Sequence, residues 1–223
     1  MIQLKNLQYT WPGQDNPILT IKDWQLSQGD RVFLYGSSGS GKSTLLNILA
    51  GLLQPQQGSV RVLDTEITTL GARARDAFRA RHMGFIFQQF NLLSYLSVET
   101  NIQLAAHFGV KNRSISPDRI IELMQQLSLG EQLLSQKAGQ LSVGQQQRVA
   151  MVRALINHPQ IIIADEPTSA LDSDARDEFI ELLLQCADNN QSSVIFVSHD
   201  KSLASHFSLS ININDLNSLA VSS

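Results

Sequence analysis

The feature that most constrains this chain is a glycine-rich loop between an apolar strand and an apolar helix. Residues 34–46 read LYGSSGSGKSTLL, with three glycines and five serine or threonine hydroxyls. Glycines let the backbone curl so that successive N–H groups form a concave nest, and the helix that follows points its partial positive charge at the same place. The spacing from Gly36 to Ser43 fits G-x-x-x-x-G-K-[ST], which is typical of a nucleotide phosphate site.

Specific side chains of this loop have predicted roles. Lys42 supplies a full charge for the outer phosphates, and the Ser43 hydroxyl can ligate Mg²⁺. The alternative is a flexible glycine–serine turn, but the apolar strand RVFLY (31–35) before the loop and the helical leucine spacing after it favour a phosphate site. The predicted nucleotide-binding residues are Gly36, Ser37, Ser38, Gly39, Ser40, Gly41, Lys42, Ser43 and Thr44.

A second motif, IIIADEPTSALD (161–172), ends an apolar strand in two adjacent carboxylates. In an open α/β sheet, ligands sit at the carboxyl ends of the strands. We therefore expect Asp165 to hold the hydration shell of Mg²⁺ and Glu166 to polarise a water for attack on the γ-phosphate. The alternative is an acidic loop that caps the next helix.

The order of apolar segments predicts an α/β fold. Short strands with turns between them fill the first thirty residues, and buried strands then alternate with helices, which indicates a parallel sheet. The stretch from about 90 to 141 is largely helical. We expect a single domain over 1–223, with an N-terminal antiparallel β subdomain and the parallel core formed by 1–89 and 146–223 and a helical subdomain inserted at about 90–145.

Composition excludes several classes. Hydrophobic residues make up 43% of the chain, which suffices for a sizeable core, and the net charge of −3 does not suggest a nucleic-acid partner. Cys186 is the one cysteine, so no disulfide can form within the chain, and we expect its thiol to be buried. No apolar run is long enough to span a bilayer and the N-terminus lacks a signal-peptide pattern, so we expect a soluble chain.

The segment LSVGQQQRVAMVRAL (141–155), followed by IIIADEPTSALD, resembles the signature and Walker B strand of ABC-type ATPases, and the resemblance covers nearly the whole chain. It implies a P-loop (RecA-like) parallel-sheet core, with ATP and Mg²⁺ as ligands. By this resemblance Trp11 stacks on adenine, and Gln88 is the Q-loop glutamine that senses Mg²⁺ and the attacking water, with Gln89 as the alternative register. Residues 169–172, ending in Asp172, match the D-loop. His199 matches the switch histidine that contacts the γ-phosphate.

The resemblance also implies a head-to-tail homodimer around two ATP molecules. In the family, the signature serine and second glycine reach the γ-phosphate held by the opposite subunit. Ser142, Gly144 and Gln145 match that motif, whereas Val143 stands where the family has its first glycine. A β-branched residue is strained there only if the backbone needs a positive φ. We expect the site to be retained.

The stretch FIFQQFNLLSYLSVETNI (85–102) is similar to the ATPases of macrolide exporters and lipoprotein-releasing systems. This similarity implies a protein of the bacterial cytoplasm, held at the inner face of the membrane through an integral permease subunit. Leu92, Leu93 and Leu96 would help form the groove that receives a permease helix. The alternative for these leucines is packing in the core of the helical subdomain.

Two functions remain open from the sequence. The first is the ATP-hydrolysing subunit of an ABC transporter, which drives export or the handling of an envelope substrate. The second is an ABC ATPase that moves no solute and regulates a permease-like membrane partner in signalling or cell-wall control. The sequence does not identify a transported molecule, because such a molecule would contact the permease.

Overall fold

The structure is a computed structural model that describes residues 1–109, 116–169 and 171–217. In this part of the chain the strands are Ile2–Tyr9 (β1), Leu19–Leu26 (β2), Arg31–Tyr35 (β3), Gln57–Val62 (β4), Thr65–Glu66 (β5), Met83–Phe87 (β6), Ile161–Asp165 (β7), Ser193–Val197 (β8) and Leu209–Asn212 (β9). The helices are Lys42–Leu49 (α1), Ala72–His82 (α2), Val98–Gly109 (α3), Pro117–Gln126 (α4), Val143–Leu155 (α5), Ser173–Asn189 (α6) and Ile213–Leu216 (α7).

The N-terminal strands form an antiparallel sheet in the order β2-β1-β4-β5. On β1, Leu4 lies opposite Trp24 of β2 and Val60 of β4, and all three side chains are buried. Exposed polar residues such as Lys5 alternate with these apolar ones, as expected for a sheet with one face on a core. The predicted antiparallel subdomain is confirmed.

The second sheet is parallel and has the order β6-β7-β8-β3-β9. Its inner strands are apolar runs: every residue of β8 is buried, as are residues 161–164 of β7 and 32–34 of β3. Such runs are typical of strands covered on both faces. The predicted parallel α/β core is confirmed.

The chain divides into two compact units. The first contains the residues up to Asp76 and the described residues from Ile195 onward, and the second is Ala77–Val194. The rings of Phe33, Phe196 and Phe207 cluster in the core of the first unit, with centroids 5.1–6.4 Å apart. In the second unit α5 packs against α3, α4, α6 and β6. The division into parallel-core and inserted helical subdomains stays a prediction.

Local sequence signals explain several element boundaries. Helix α1 ends at Leu49 because Gly51 adopts a φ of +67° and its N–H bonds to the Ile48 carbonyl. Helix α4 begins at Pro117, and its N-cap Ser116 accepts a hydrogen bond from the Asp118 N–H. Four of the described elements were not predicted, namely helices α2 and α7 and strands β5 and β9.

The sequence also led us to expect a buried thiol at Cys186 and no membrane-spanning segment. Cys186 is buried in α6, as predicted, and burial raises the pKa of its thiol, with a smaller opposing effect of the charge on Arg119. Of the helices in the described ranges, none combines the length and the apolar content that crossing a bilayer requires.

Candidate functional site

The phosphate-loop candidate joins the end of β3 to the start of α1. Gly41 is the N-cap of α1 with φ +98°, and no side chain caps this helix end. A Cβ at Gly41 would lie 2.8 Å from Leu19 Cδ2, so both the backbone angle and the space require glycine. The N-terminus of α1 therefore carries no side-chain cap, and its partial positive charge points at the loop.

Lys42 lies across this loop. Its ammonium donates to the carbonyl oxygens of Gly36 and Ser37, both at 2.9 Å, and Ser40 Oγ donates to the same Ser37 oxygen at 2.7 Å. Because an ammonium carries three donors, these two bonds orient the side chain and leave capacity for a phosphate oxygen. Thr44, at the end of the predicted set, is buried with 6% exposure.

His199 follows the same edge of the sheet as the phosphate loop. Ser198 N–H donates to the Leu34 carbonyl at 3.3 Å, so the residue after Ser198 and the residues after Tyr35 leave the sheet side by side, both within the first unit. His199 itself is exposed, and the next residue, Asp200, donates its N–H to Ser198 Oγ at 3.1 Å. This placement agrees with a histidine that faces a bound phosphate.

Trp11 starts a tight turn between β1 and β2. The Gln14 N–H donates to the Trp11 carbonyl at 3.0 Å, and Gly13 has φ +83° at the third turn position, as a type II turn requires. The Trp11 ring meets Tyr9 edge to face at 5.2 Å and is 37% exposed. Trp11 is therefore partly open to solvent at this turn.

In the second unit, β6 and β7 place the acidic motif and the Q-loop together. Phe87 lies opposite Asp165 in this parallel pair, so Gln88 and Glu166 directly follow neighbouring strand ends. Gln88 and Gln89 are both exposed, and Glu166 adopts a φ of +48°, which a non-glycine residue takes only when its surroundings impose it.

The residues predicted to hold Mg²⁺ offer oxygen donors, namely a hydroxyl at Ser43, a carboxylate at Asp165 and an amide at Gln88. Hard oxygen ligands, supplemented by waters and nucleotide phosphates, are what Mg²⁺ prefers. Within the described residues, no three His, Cys, Asp or Glu side chains cluster in a way that could hold a metal ion. The chemistry of each of these donors therefore suits Mg²⁺.

The signature segment forms the N-terminus of α5. Ser142 is the N-cap: its hydroxyl accepts from the Gln145 N–H at 3.3 Å, and Gln145 Oε1 accepts from the Ser142 N–H at 3.0 Å. Val143 is the first residue of the helix, 52% exposed and outside the positive-φ residues, so its branched side chain causes no backbone strain. A Cβ at Gly144 would meet nothing within 4 Å.

Two functional candidates on α5 were missed from the sequence. Gln147 is buried and donates its Nε2 to the Pro167 carbonyl at 2.9 Å, and Arg153 donates to the carbonyls of Phe90 and Asn91. For Arg153 the available signal was a charged residue inside an apolar helical stretch, whereas Gln147 stands in the polar run 145–148 and gave no such signal.

The remaining predicted residues lie at the surface. Asp172 is the N-cap of α6 and accepts from the Ala175 N–H at 2.9 Å, whereas Asp165 and Glu166 are not the cap of this helix. Position 170 of the D-loop lies outside the described residues. Leu93 is exposed and Leu92 and Leu96 are half-buried, so none of these leucines belongs to the buried core.

Comparisons with known proteins point to one family. A family model described as "ABC transporter" matches residues 19–169. The chain is 40% identical, over 96% of its length, to the macrolide export ATP-binding/permease protein MacB of Photorhabdus laumondii and likewise to MacB of Escherichia coli K12. It spans 33% of the length of these curated relatives.

A solved structure shares the fold over nearly the whole chain. The ATP-binding cassette MJ0796, in a dimeric post-hydrolysis state bound to ADP and Pi, is 35% identical, covers 95% of this chain and 94% of its own, and superposes with a TM-score of 0.84. A second dimeric structure of MJ0796 gives a TM-score of 0.82 at 34% identity, with 96% and 95% covered. By its sequence motifs, its fold and these relatives, this chain belongs to the ABC transporter family.

Proposed function

We propose that this chain binds ATP with Mg²⁺, hydrolyses it to ADP and phosphate, and uses the cycle to drive a membrane permease. The observation that carries the proposal is the phosphate loop, where an uncapped helix N-terminus, glycines at positive φ and the ammonium of Lys42 converge on one loop. Backbone amides and an ammonium are the groups that bind a polyphosphate.

Each site residue has a proposed role. The loop residues 36–44 bind the phosphates, with the Lys42 charge on the outer ones, and the exposed face of Trp11 stacks on the base. Ser43, Asp165 and Gln88 would hold Mg²⁺ directly or through water, and a bound ion would supply positive charge beside the phosphates. Glu166 accepts a proton from the attacking water, while His199 hydrogen-bonds the γ-phosphate.

A second copy of the chain completes each site in this proposal. Ser142 uses its hydroxyl as acceptor within the capping box, so its O–H remains a donor for a phosphate oxygen of the partner's nucleotide. The solved relative MJ0796 is described as a dimer. ATP stabilises the pair by mass action, and hydrolysis releases it.

The permease contact is proposed on the second unit. Leu93, Tyr95 and Phe108 expose 39%, 69% and 70% of their surface there, and such apolar groups favour a protein interface. The relatives named MacB join an ATP-binding part and a permease in one protein. We place this chain on the cytoplasmic face of the membrane through a partner of that kind, whose transported substrate belongs to the permease.

Replacing Glu166 with Gln tests the proposal, because an amide keeps the shape but cannot accept a proton. We expect ATP hydrolysis to fall about 10²–10⁴-fold while ATP binding persists, so that an ATP-bound dimer accumulates on gel filtration. Glu181→Gln, on the exposed face of α6, is the matched control and should leave hydrolysis unchanged. Wild-type turnover in the Glu166 variant would remove this residue from the role of base.

A further inference from the structure

Helix α5 connects three segments of the proposed site by direct hydrogen bonds. Its N-cap is Ser142, its middle holds Gln147, and its last turn holds Arg153. With 13 residues the helix is about 20 Å long. Every contact discussed below lies within the second compact unit.

The first anchor fixes the loop that carries Glu166. Gln147 has 2% exposure and donates to the carbonyl of Pro167, the residue directly after Glu166. A buried carbonyl that loses its donor is destabilised, so this bond opposes any movement of the peptide. Glu166 has a φ of +48°, a backbone angle that must be imposed by such neighbouring bonds.

The second anchor fixes the loop that carries Gln88. Phe90 and Asn91 both have positive φ, at 44° and 50°, and the Arg153 guanidinium donates to the carbonyl oxygens of both. Asparagine tolerates this conformation but phenylalanine does not favour it. Two consecutive carbonyls directed at one cation explain why the loop keeps this shape.

Arg153 is also unusual because its charged guanidinium is partly buried. It is half-buried, and in the described part of the chain its hydrogen bonds end on the two loop carbonyls. Burial lowers the pKa of the guanidinium from its ordinary value. A cation is kept in such a place when its planar donors fit the geometry around it, which lysine could not reproduce.

We propose that α5 sets the conformation of both catalytic loops, with Gln147 and Arg153 as the positioning residues that hold the Glu166 and Gln88 loops to the helix that begins at Ser142. A phosphate contact at Ser142 is thereby linked mechanically to both loops. The catalytic role of the two loops rests on the ATPase function proposed above. The two hydrogen-bond anchors can be tested without it.

The test replaces each anchor with methionine, which keeps length and removes the donors. Amide hydrogen exchange of the full chain should speed up at 89–92 in Arg153→Met and at 166–169 in Gln147→Met, each with the other loop unchanged. Arg153→Lys, which retains the charge but not the two-pronged geometry, should loosen 89–92 as well. Arg119→Met is the matched control, since this partly buried arginine bonds to Glu122 and Asn190 and should leave both loops unchanged.

Turnover gives a second readout. Each methionine variant should lower kcat about 10-fold with little change in KM, because a misplaced group slows the chemical step more than binding. In a Gln88→Ala background, Arg153→Met should lower kcat by less than a further factor of about 2. Gln147→Met should still lower kcat by its full factor in that background. This selectivity would not follow from a general loss of stability.

Exchange that is unchanged in both loops, or that rises uniformly through α5 and the loops, would overturn the proposal. Full additivity of Arg153→Met with Gln88→Ala would do the same. If the unmodified chain hydrolyses no ATP, the proposed function fails, but the hydrogen-exchange result still decides the role of α5.

Discussion

Two helices of this protein begin where phosphate oxygens are expected, and they begin differently. Helix α1 follows Gly41 with no side-chain cap, whereas α5 has a complete capping box between Ser142 and Gln145. Both N-termini carry a partial positive charge. No side-chain cap occupies the N-terminus of α1, whereas Ser142 and Gln145 cap the N-terminus of α5 and the O–H of Ser142 can still donate to a phosphate.

The difference separates two kinds of binding. A nest of amides with a lysine holds a nucleotide whether or not a second subunit is present. A capped helix with one hydroxyl offers few donors and suits a contact that forms and breaks in each cycle. Substitutions at the two N-termini should therefore differ in which step they affect.

The largest effect is expected at α1. Lys42→Ala removes the charge that meets the outer phosphates, and both ATP binding and hydrolysis should weaken, the latter about 10³-fold. Equilibrium binding of a fluorescent ATP analogue and phosphate release measure the two effects. Lys22→Ala, an exposed lysine on β2 of the same unit, should change neither. Retention of tight ATP binding by Lys42→Ala would show that the α1 site does not act through this ammonium.

A smaller effect, confined to formation of the ATP-bound dimer, is expected at α5. Gly144→Asp places a carboxylate where the partner's phosphate is proposed to bind, so hydrolysis should fall about 100-fold while binding of the first ATP persists. The position has open space for a side chain, so the fold should be unaffected. Gly144→Asn has the same size without the charge and should retain most activity. Full ATPase activity and ATP-driven dimerisation in Gly144→Asp would contradict a composite site.

The smallest effect concerns the departure from the family signature. Val143 already has a helical backbone angle and an exposed side chain, so Val143→Gly should change turnover less than about 2-fold and lower stability by about 0.5–1 kcal/mol. Thermal denaturation and phosphate release measure these changes, with Val143→Ala as the control that preserves helix propensity. A several-fold gain in turnover and a tighter dimer would show that valine restrains closure.

Much of the fold was predictable because its segments carry strong patterns. The boundaries of β3 and β7 follow apolar runs that end at Tyr35 and Asp165, and both match the predictions from sequence. Strand β9 has a usable alternation of Leu209 and Ile211 with polar residues, which was overlooked. Helix α2 has no buried residue, so no hydrophobic periodicity could reveal it.

The sequence predicts which residues form the site, but it does not predict their backbone angles or the hydrogen bonds that position them. The glycine and acidic motifs identify which residues carry the chemistry. The positive φ of Glu166 and the anchoring bonds of Gln147 and Arg153 depend on contacts with residues 20 or more positions away. Such contacts leave no clear local pattern. Gln147 stands in the polar run 145–148, and a charged residue in an apolar stretch, such as Arg153, has several explanations.

The buried thiol of Cys186 makes this chain a convenient background for chemical labelling. Its raised pKa keeps little thiolate at neutral pH, and thiolate is the form that reacts with maleimides and iodoacetamides. A cysteine introduced at an exposed position would therefore be modified first and almost alone. Spectroscopic probes or cross-linkers can therefore be attached at single introduced cysteines, without first replacing the buried Cys186 of α6.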